Sequence, residues 1–594
     1  MKIKRWGVVA AVAAGALALA GCSAGGGGSE VESGTSVAVA QNSAMTTMNA
    51  NTATNYATYN SNVQYLFQGP GFNYYNADKE LVKNTKFGTY KKLSDDPLTV
   101  KYTINDGVKW SDGTPVSASD MILSWGSSIT KFNNAKSGVN FGSINQGSGL
   151  DAVTKFPTIG DDNRSITIKY DTPYVDWEIL PTITPNISAA ALWEITGIDK
   201  KTGTDAAKAV SDAFKNNNSS ELTKLAKVWK TGFDITSTPK DKRILTTYGP
   251  YKVASLTKQY VTLTPNDAYT AGPKPKVAKI TVRFIPDQTA QVQALQNGEV
   301  NILYGQATSD TVQALKGLDK VKSTTTPTAT FEHVDLQFDS GPFSPSAYGG
   351  DASKALKVRQ AFFKVLPRQE MLERLIKPID PSAKLDDSSL FLPGQDGYDD
   401  SVAKNDSDQY QKVDVDAAKQ LLQEAGVSTP ITVKFAYAND NPRRVGEFQL
   451  IQASAKQAGF DVTDVGKPGA EFFGANGIGS GKYDYDATVF AYQLTSSSVT
   501  QSEGNTTTGN AYNYQGYSNE KVDALWKQAK AVTDAKDAIP LQQQIDGYLL
   551  KDASTITLFQ LPDVTAWSSN IASVGDAPYS PNVFWNFWEW NVNK

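Results

Sequence analysis

The sequence is short of the residues on which many metal and catalytic sites depend. Its 594 residues include one cysteine, Cys22, and one histidine, His333. One cysteine excludes an internal disulfide, and one histidine excludes a metal site with several histidine ligands. A single histidine also argues against a hydrolase that uses a histidine base, so we expect His333 to be a structural polar residue. We expect no cofactor and no metal.

Recognised catalytic and phosphate-binding motifs are also absent. The sequence contains no H-E-x-x-H and no P-loop. It has 57 basic and 61 acidic residues, a net charge of −4, and no basic cluster that would predict a nucleic-acid partner. We therefore expect a protein that is not an enzyme.

The first 21 residues have the pattern of a secretory signal peptide. Lys2, Lys4 and Arg5 form a basic start, and residues 7–21 are all Gly, Ala, Val or Leu. This run is too short and too rich in Ala and Gly for a membrane-spanning helix, which needs about 20 strongly apolar residues. No later run is as long, so we expect an exported, soluble body.

The sequence LAGC, residues 19–22, resembles a bacterial lipobox. In such signals the cysteine becomes the first residue of the mature chain and carries a diacylglyceryl group. Each buried methylene contributes about 0.8 kcal/mol, so several acyl chains on one residue hold a protein to a bilayer. Residues 23–35 are rich in Gly and Ser and predict a flexible tether. The resemblance implies lipidation of Cys22 and a place on the outer face of the cytoplasmic membrane, or in the periplasm of a cell with an outer membrane.

Predicted strands and helices alternate through the remaining chain. Alternation of apolar and polar residues predicts half-buried strands, and an almost wholly apolar run predicts a fully buried one at 486–492. The half-buried strands are predicted at 98–104, 165–170, 279–285, 431–437. Capping residues predict helices after Asp287, after Asp414, over 444–457 and from Ser518. About 560 residues of mixed elements favour an α/β fold with more than one lobe.

Three segments depart from this pattern. Residues 131–164 and 200–243 are rich in polar residues and are predicted to be surface elaborations, with one short helix near 220–230. Residues 582–590, NVFWNFWEW, are dense in aromatic side chains. We expect most of these aromatics to be buried in a core or between lobes.

The most distinctive motif is GVKWSDGTPVSASD, residues 107–120. It predicts a tight turn at residues 112–113 and a helix capped by Ser117, with Asp120 completing a variant of the capping box. The turn accounts for the local geometry, so Trp110 is expected in the core rather than on a ligand. The motif closely resembles that of the extracellular solute-binding proteins of peptide-type ABC transporters, the oligopeptide- and dipeptide-binding family. Segments 247–303, 358–372 and 519–529 are similar to further segments of this family, in the same order.

The resemblance implies an α/β, two-lobed, periplasmic-binding-protein-like (Venus flytrap) fold with an extra subdomain on the first lobe. Ligand would lie in the cleft between the lobes, and residues 299–304 would form one hinge crossing. The implied division is a signal peptide at 1–21, the lipidated cysteine and tether at 22–35, lobe I at 36–84 with 235–302 and 575–594, the subdomain at 85–234, and lobe II at 303–574.

The resemblance also implies which residues meet ligand. Segment 62–72 would be a strand that pairs with the ligand backbone, which places Phe67, Gln68 and Gly69 at the cleft. The second lobe would contribute the loop that follows strand 486–492 and a loop at 391–398. The candidates from the second lobe are Phe391, Tyr398, Phe435, Tyr492 and Thr495.

Two of these positions bear on the charge of the ligand. Dipeptide-binding members pair an aspartate with the ligand's ammonium group, and Thr495 stands at that position. Members that bind a ligand carboxylate have an arginine where this chain has Phe435. A desolvated charge needs a partner, so a longer or blocked peptide, or a neutral oligosaccharide, fits better than a free dipeptide. Asp486 or Glu503 could replace the missing ammonium anchor.

The implied function is the substrate-binding component of an ABC importer, a monomer that captures an oligopeptide-like solute and delivers it to the permease and ATPase subunits. One alternative is a receptor of the same fold for an oligosaccharide or a signalling peptide. A more remote alternative is a secreted glycosidase, which would need two acids about 5 to 9 Å apart in a cleft.

Overall fold

A computed structural model describes residues 31–55, 57–134, 138–143, 149–150, 153, 155–179, 183–474, 476–510 and 512–593. The predicted signal peptide, Cys22 and most of the predicted tether lie outside the described residues. Within the described ranges, no helix has the length and apolar character that crossing a bilayer would take.

The strands range from two-residue pairs to two strands of more than a dozen residues. In chain order they are β1 Val37–Gln41, β2 Asn73–Tyr75, β3 Leu81–Lys83, β4 Gly88–Asp95, β5 Leu98–Ile104, β6 Asn133–Asn134, β7 Val139–Asn140, β8 Thr158–Ile159, β9 Ser165–Lys169, β10 Tyr251–Leu256, β11 Tyr260–Pro265, β12 Ile280–Phe284, β13 Ile302–Gln306, β14 Val321–Leu336, β15 Ile431–Ala436, β16 Phe460–Asp464, β17 Ala487–Gln493, β18 Thr555–Ser568, β19 Ile571–Ala572 and β20 Asn591–Val592.

The α-helices pack on both parts of the main sheet and on the smaller sheets. In chain order they are α1 Thr58–Gln68, α2 Ala118–Ser128, α3 Ala189–Thr196, α4 Gly203–Lys215, α5 Ser219–Thr231, α6 Gln288–Gln296, α7 Ser309–Lys316, α8 Ala352–Lys364, α9 Arg368–Met371, α10 Tyr398–Val402, α11 Val415–Ala425, α12 Pro442–Lys456, α13 Gly469–Phe472, α14 Glu503–Thr506, α15 Glu520–Lys530 and α16 Ala535–Lys551. Short 3₁₀ turns include Val499–Ser502 and Asn582–Glu589.

One sheet of ten strands runs through the described molecule in the order β10-β11-β12-β1-β13-β18-β14-β17-β15-β16. Strands β14 and β18 are the longest and lie at its middle. β18 pairs antiparallel with β13 and with β14, and β14 pairs antiparallel with β17. The β14–β18 register shifts between Pro327 and Phe331, where a proline removes a ladder donor. These two strands therefore join the two halves of the sheet.

Two large hydrophobic cores lie on either side of this junction. The first draws on residues 37–302 and 571–590 and includes the separate four-stranded sheet β4-β5-β9-β8. The second draws on residues 334–561. We refer to the parts built around these cores as the first and second lobes. The 299–304 segment, predicted as a hinge crossing, leads into β13, which lies between β1 and β18 on the first-lobe side.

Most locally encoded elements are confirmed. Strands predicted at 98–104, 165–170, 279–285, 431–437 and 486–492 are present within one or two residues of the predicted ends. Ser117 and Asp120 form a capping box, and Asp287 and Asp414 cap their helices as predicted. The helix predicted from Ser518 begins at Glu520 behind an Asn519 cap. Trp110 is fully buried, as expected for a core residue.

Two expectations are wrong. Segment 62–72 is not a strand, because Val63, Leu66 and Phe67 follow a helical period and bury one face of α1. Residues 200–243 are more than a surface elaboration, because two helices, α4 and α5, bury apolar faces in the first-lobe core. The terminal aromatic segment is mainly core, as predicted, with Phe584, Phe587 and Trp590 fully buried.

Candidate ligand-binding cleft

A cavity of about 700 Å³ lies between the first and second lobes. Both lobes and the C-terminal segment supply its walls. The first lobe contributes Ala50, Asn51, Ser61, Gln64, Tyr65, Gln68, Gly69, Pro70, Asn73, Tyr74, Tyr75, Tyr174, Asp176, Ile179, Thr184 and Asn186. The second lobe contributes Thr495, Ser496, Ser498, Thr500, Gln501, Glu503, Gly504, Asn505, Asn510 and Tyr512, and the C-terminal segment contributes Ser580 and Pro581. Cavities of this volume hold drug-sized ligands.

Helix α1 supplies one wall through residues spaced three and four apart. Ser61, Gln64, Tyr65 and Gln68 share one helix face and all line the cavity. Gln64 donates to the Oε1 of Gln68 at 2.7 Å, and Gln68 donates to the carbonyl of Asn186 at 2.6 Å. These bonds fix the two amides, so the wall presents preorganised polar groups.

Gly69 ends α1 and lets the chain turn toward the cleft. Its φ is +75°, a conformation that side-chain-bearing residues rarely adopt. A Cβ atom there would lie 3.2 Å from Cδ of Pro250. We infer that glycine is required for the sharp exit from the helix.

Tyrosines form the aromatic part of the lining. Tyr65 meets the ring of Phe587 edge-on at 5.9 Å, and Tyr74 meets Trp588 edge-on at 5.4 Å. The terminal aromatic segment thus supports two cavity tyrosines from behind. Tyr512 lies at the opposite wall and is 61% exposed. The tyrosines can offer both a ring face and a hydroxyl to a ligand.

Among the described lining residues, two carry a formal charge and both are acidic. Asp176 is 3% exposed and accepts hydrogen bonds from residues 498–500. Glu503 forms an ion pair with Lys530, with 2.5 Å between Oε1 and Nζ. Burial raises the pKa of Tyr174, so its phenol stays neutral. The described lining therefore offers no basic side chain to a ligand.

Three of the residues predicted to bind ligand line the cavity. They are Gln68 and Gly69 from the first lobe and Thr495 from the second. Thr495 is held through its backbone N–H, which donates to Oε1 of Gln501 at 2.8 Å. Glu503, considered as an ammonium anchor, also lines the cavity.

The other predicted contacts lie outside the described lining, each for a packing reason. Phe67 faces the first-lobe core because it follows Leu66 on the buried face of α1. Phe435 is fully buried in the second-lobe core, and Phe391 is buried in an apolar cluster beside it. Tyr398 is half-buried, and its hydroxyl accepts from the backbone N–H of Asp387 at 3.0 Å.

Tyr492 and Asp486 also lie outside the described lining. Tyr492 stacks on His333 with 4.6 Å between ring centroids and 12° between planes. His333 is buried in this aromatic cluster, in keeping with a structural role. Asp486 accepts from the backbone N–H of Lys434 at 2.8 Å, which ties strand β17 to β15.

Sequence reasoning missed the part of the wall made by Tyr174, Asp176, Ile179, Thr184 and Asn186. The resemblance places this segment in the subdomain alone, although the stretch YVDW follows strand β9 closely. A polar and aromatic loop after a strand is a common place for binding residues. That signal could have singled out Tyr174 and Asp176.

Most of the chain can be aligned with known proteins. Residues 85–519 match the sequence profile of "Bacterial extracellular solute-binding proteins, family 5 Middle". An uncharacterized lipoprotein of Mycobacterium tuberculosis is 24% identical over 544 residues, covering 88% of this chain and 87% of its own.

Solved structures share the fold. The periplasmic EDTA-binding protein EppA superposes with a TM-score of 0.79 at 22% identity, covering 96% of this chain and 98% of its own. The oligopeptide-binding protein AppA of Bacillus subtilis, solved with a nonapeptide, gives 0.65 at 17% identity, covering 94% and 99%. The two-lobed binding-protein fold expected from the sequence is confirmed, and the chain belongs to the family 5 bacterial extracellular solute-binding proteins.

Proposed function

We propose that this family 5 solute-binding protein is the membrane-tethered component of an ABC importer, and that it captures an oligopeptide-like solute with no unpaired negative charge. The observation that carries the proposal is the described lining, which has tyrosine and amide side chains and no basic group. Peptide units match such a lining, since tyrosine hydroxyls and amides can both donate and accept hydrogen bonds. Solute would favour the closed arrangement of the lobes by its higher affinity for it.

The lack of a basic side chain in the described lining supports a solute without unpaired negative charge over a polycarboxylate. EppA is named for EDTA, a polycarboxylate, and AppA of B. subtilis was solved with a nonapeptide. A buried carboxylate that finds no cation pays its desolvation cost without compensation. A neutral oligosaccharide would suit the same tyrosines and amides, and a signalling peptide would suit them as well as a nutrient peptide.

Thermal unfolding with matched ligands tests the proposed solute class. N-acetylated, C-amidated pentapeptides should raise the melting temperature, because a ligand at 100 times its dissociation constant adds about 2.7 kcal/mol of stability. The same peptides with a free carboxylate should raise it less, and Fe(III)-EDTA should not raise it. Neutral oligosaccharides belong in the same screen.

A charge-introducing variant provides the matched control. Asn186 lines the cavity and is partly exposed, so Asn186→Arg would add the missing cation. This variant should bind the free-carboxylate peptides better than the parent does. If Fe(III)-EDTA stabilises the parent protein more than any peptide or oligosaccharide, the proposed solute class is wrong.

Attachment to the membrane is the second part of the proposal. A relative named as a lipoprotein covers most of the chain, and Cys22 is the only cysteine available for acylation. Cys22→Ala should therefore release the protein into the soluble fraction, while Ser23→Ala should leave it in the membrane fraction. Mass spectrometry of the mature amino terminus checks the acyl group directly. Membrane retention of Cys22→Ala would contradict the lipid anchor.

A further inference from the structure

Residues 174–177, Tyr-Val-Asp-Trp, extend from the first lobe into the second. Val175 is 4% exposed and packs in an apolar cluster that otherwise consists of second-lobe residues, including Phe391 and Trp526. The backbone N–H of Val175 donates to the carbonyl of Lys530 at 3.0 Å. Nε1 of Trp177 donates to the carbonyl of Thr533 at 3.0 Å. The segment is therefore held by the second lobe on both sides of Asp176.

Asp176 accepts four hydrogen bonds from the second lobe. Its Oδ1 accepts from the backbone N–H of Val499 at 2.8 Å. Its Oδ2 accepts from the backbone N–H of Thr500 at 3.0 Å, from Oγ1 of Thr500 at 2.7 Å and from Oγ of Ser498 at 2.6 Å. A helical turn leaves its first N–H groups without internal partners. The carboxylate satisfies two of them through charge-assisted hydrogen bonds, the stronger kind.

The turn held by Asp176 belongs to the second-lobe wall of the cavity. Ser498, Thr500 and Gln501 line the cavity within it. Gln501 in turn accepts from the backbone N–H groups of Thr495 and Ser496, at 2.8 and 3.2 Å. Displacing the carboxylate would therefore loosen the whole 495–501 loop. Tyr75 adds a further link across the cleft, with 3.0 Å between its hydroxyl and that of Ser497.

We propose that Asp176 is a positioning residue for the 495–501 loop and that, with Val175, it forms a latch that holds the lobes together before solute enters. The latch rests on the proposed function only in taking the interlobe cleft as the binding site. It makes the closed arrangement depend on contacts that solute does not supply. The cleft then stays closed with a smaller difference between the solute's affinities for the closed and the open arrangements.

Two substitutions, Asp176→Asn and Val175→Asp, should weaken the latch in different ways. Asp176→Asn keeps one acceptor oxygen and replaces the other with an NH₂ group, which cannot accept from the backbone N–H group that faces it, that of Val499 or that of Thr500. Val175→Asp would place a carboxylate in the apolar cluster only when the lobes are closed. Asp161→Asn, at an exposed position of the same lobe, is the matched control.

The test measures the distance between lobes in ligand-free protein. Spin labels at Lys101→Cys and Lys536→Cys, both exposed, would lie on opposite sides of the contact between Asp95 and Thr533, which is 3.0 Å long. The full chain carrying Cys22→Ala leaves these as the only thiols. Pulsed electron paramagnetic resonance should show mainly a short distance in this parent and in Asp161→Asn.

In Asp176→Asn and in Val175→Asp the closed-to-open ratio should fall about tenfold or more, which corresponds to about 1.4 kcal/mol. The midpoint of thermal unfolding should stay near that of the parent, because both variants act at the lobe contact. A short distance retained in both variants, or a mainly long distance in the parent, would overturn the latch. Neither result bears on which solute binds, since no solute is present.

Discussion

Replacing Glu332 with glutamine should lower the free energy of unfolding by about 3 to 5 kcal/mol. Glu332 lies on β14 and is fully buried in the second lobe. Its Oε2 accepts from Nη2 of Arg443 at 2.9 Å, and its Oε1 accepts from Nε of Arg444 at 2.8 Å. Both arginines belong to the first turn of α12, so the carboxylate fixes that helix to the sheet.

The protonation of this cluster explains the size of the effect. Burial by itself raises the pKa of Glu332, but the charges of Arg443 and Arg444 together lower it to about 2. The Glu332 carboxylate is therefore charged in the folded protein at every pH above the pKa that it has in the unfolded chain. Its contribution to stability is complete in that pH range. Glutamine would leave two buried guanidinium groups with one fewer counter-charge. Burial raises the pKa of the neighbouring Glu447 to about 8, and ionisation of Glu447 should offset part of the loss.

Urea unfolding at pH 7, followed by tryptophan fluorescence, measures the loss. Asp484→Asn is the matched control, since Asp484 is the exposed partner of Lys434 at 2.6 Å. An exposed ion pair contributes at most about 1 kcal/mol, so this variant should unfold close to the parent. A loss below about 1 kcal/mol in Glu332→Gln would show that the buried cluster is not the constraint that its contacts indicate.

Local rules account for the parts of the fold that the sequence predicted correctly. The capping box at Ser117 and the caps at Asp287 and Asp414 depend on residues within a few positions of one another. The strand at Leu98–Ile104 alternates cleanly because one of its faces is buried. Such features need no knowledge of the rest of the chain.

The two errors have different origins. The strand at 62–72 was expected from the resemblance to the family, whereas Val63, Leu66 and Phe67 follow a helical period. In α4, by contrast, the buried residues Ala206, Val210 and Phe214 repeat at helical spacing. That period was available from the sequence, and the polar composition of the region obscured it.

The site was less accessible to sequence reasoning than the fold because its walls come from distant parts of the chain. Asp176 and Ser498 are 322 residues apart, and Tyr75 and Ser497 are 422 apart. Resemblance to the family located Gln68, Gly69 and Thr495, but no local pattern pairs an aspartate with a loop that far away. The latch therefore emerges only from tertiary structure.

Replacing Asp563 with asparagine should stabilise the protein in a pH-dependent way. Asp563 lies on β18, opposite Gln306 of β13 and Thr326 of β14. Burial, and then the negative charge of Asp576, raise the pKa of Asp563 to about 7, from an ordinary value of 3.8. Burial also raises the pKa of Asp576 to about 6, against the hydrogen bond from Oγ1 of Thr565.

The sign follows from proton uptake. Between pH 3.8 and about 7 the folded state holds a proton on Asp563 that the unfolded state has lost, so stability falls as pH rises. Asparagine cannot ionise and avoids this penalty. With allowance for solvent screening, the advantage of Asp563→Asn over the parent should be about 2 kcal/mol larger at pH 8 than at pH 5.

Urea unfolding of both proteins at pH 5, 6, 7 and 8 gives this difference directly. Other acids with raised pKa values, such as Asp120 at about 6, impose the same slope on both proteins and cancel in the comparison. Asp161→Asn, on the exposed surface, should track the parent at every pH. An advantage that stays constant from pH 5 to pH 8 would mean that Asp563 ionises normally, because only a raised pKa makes the effect of a neutral side chain grow with pH.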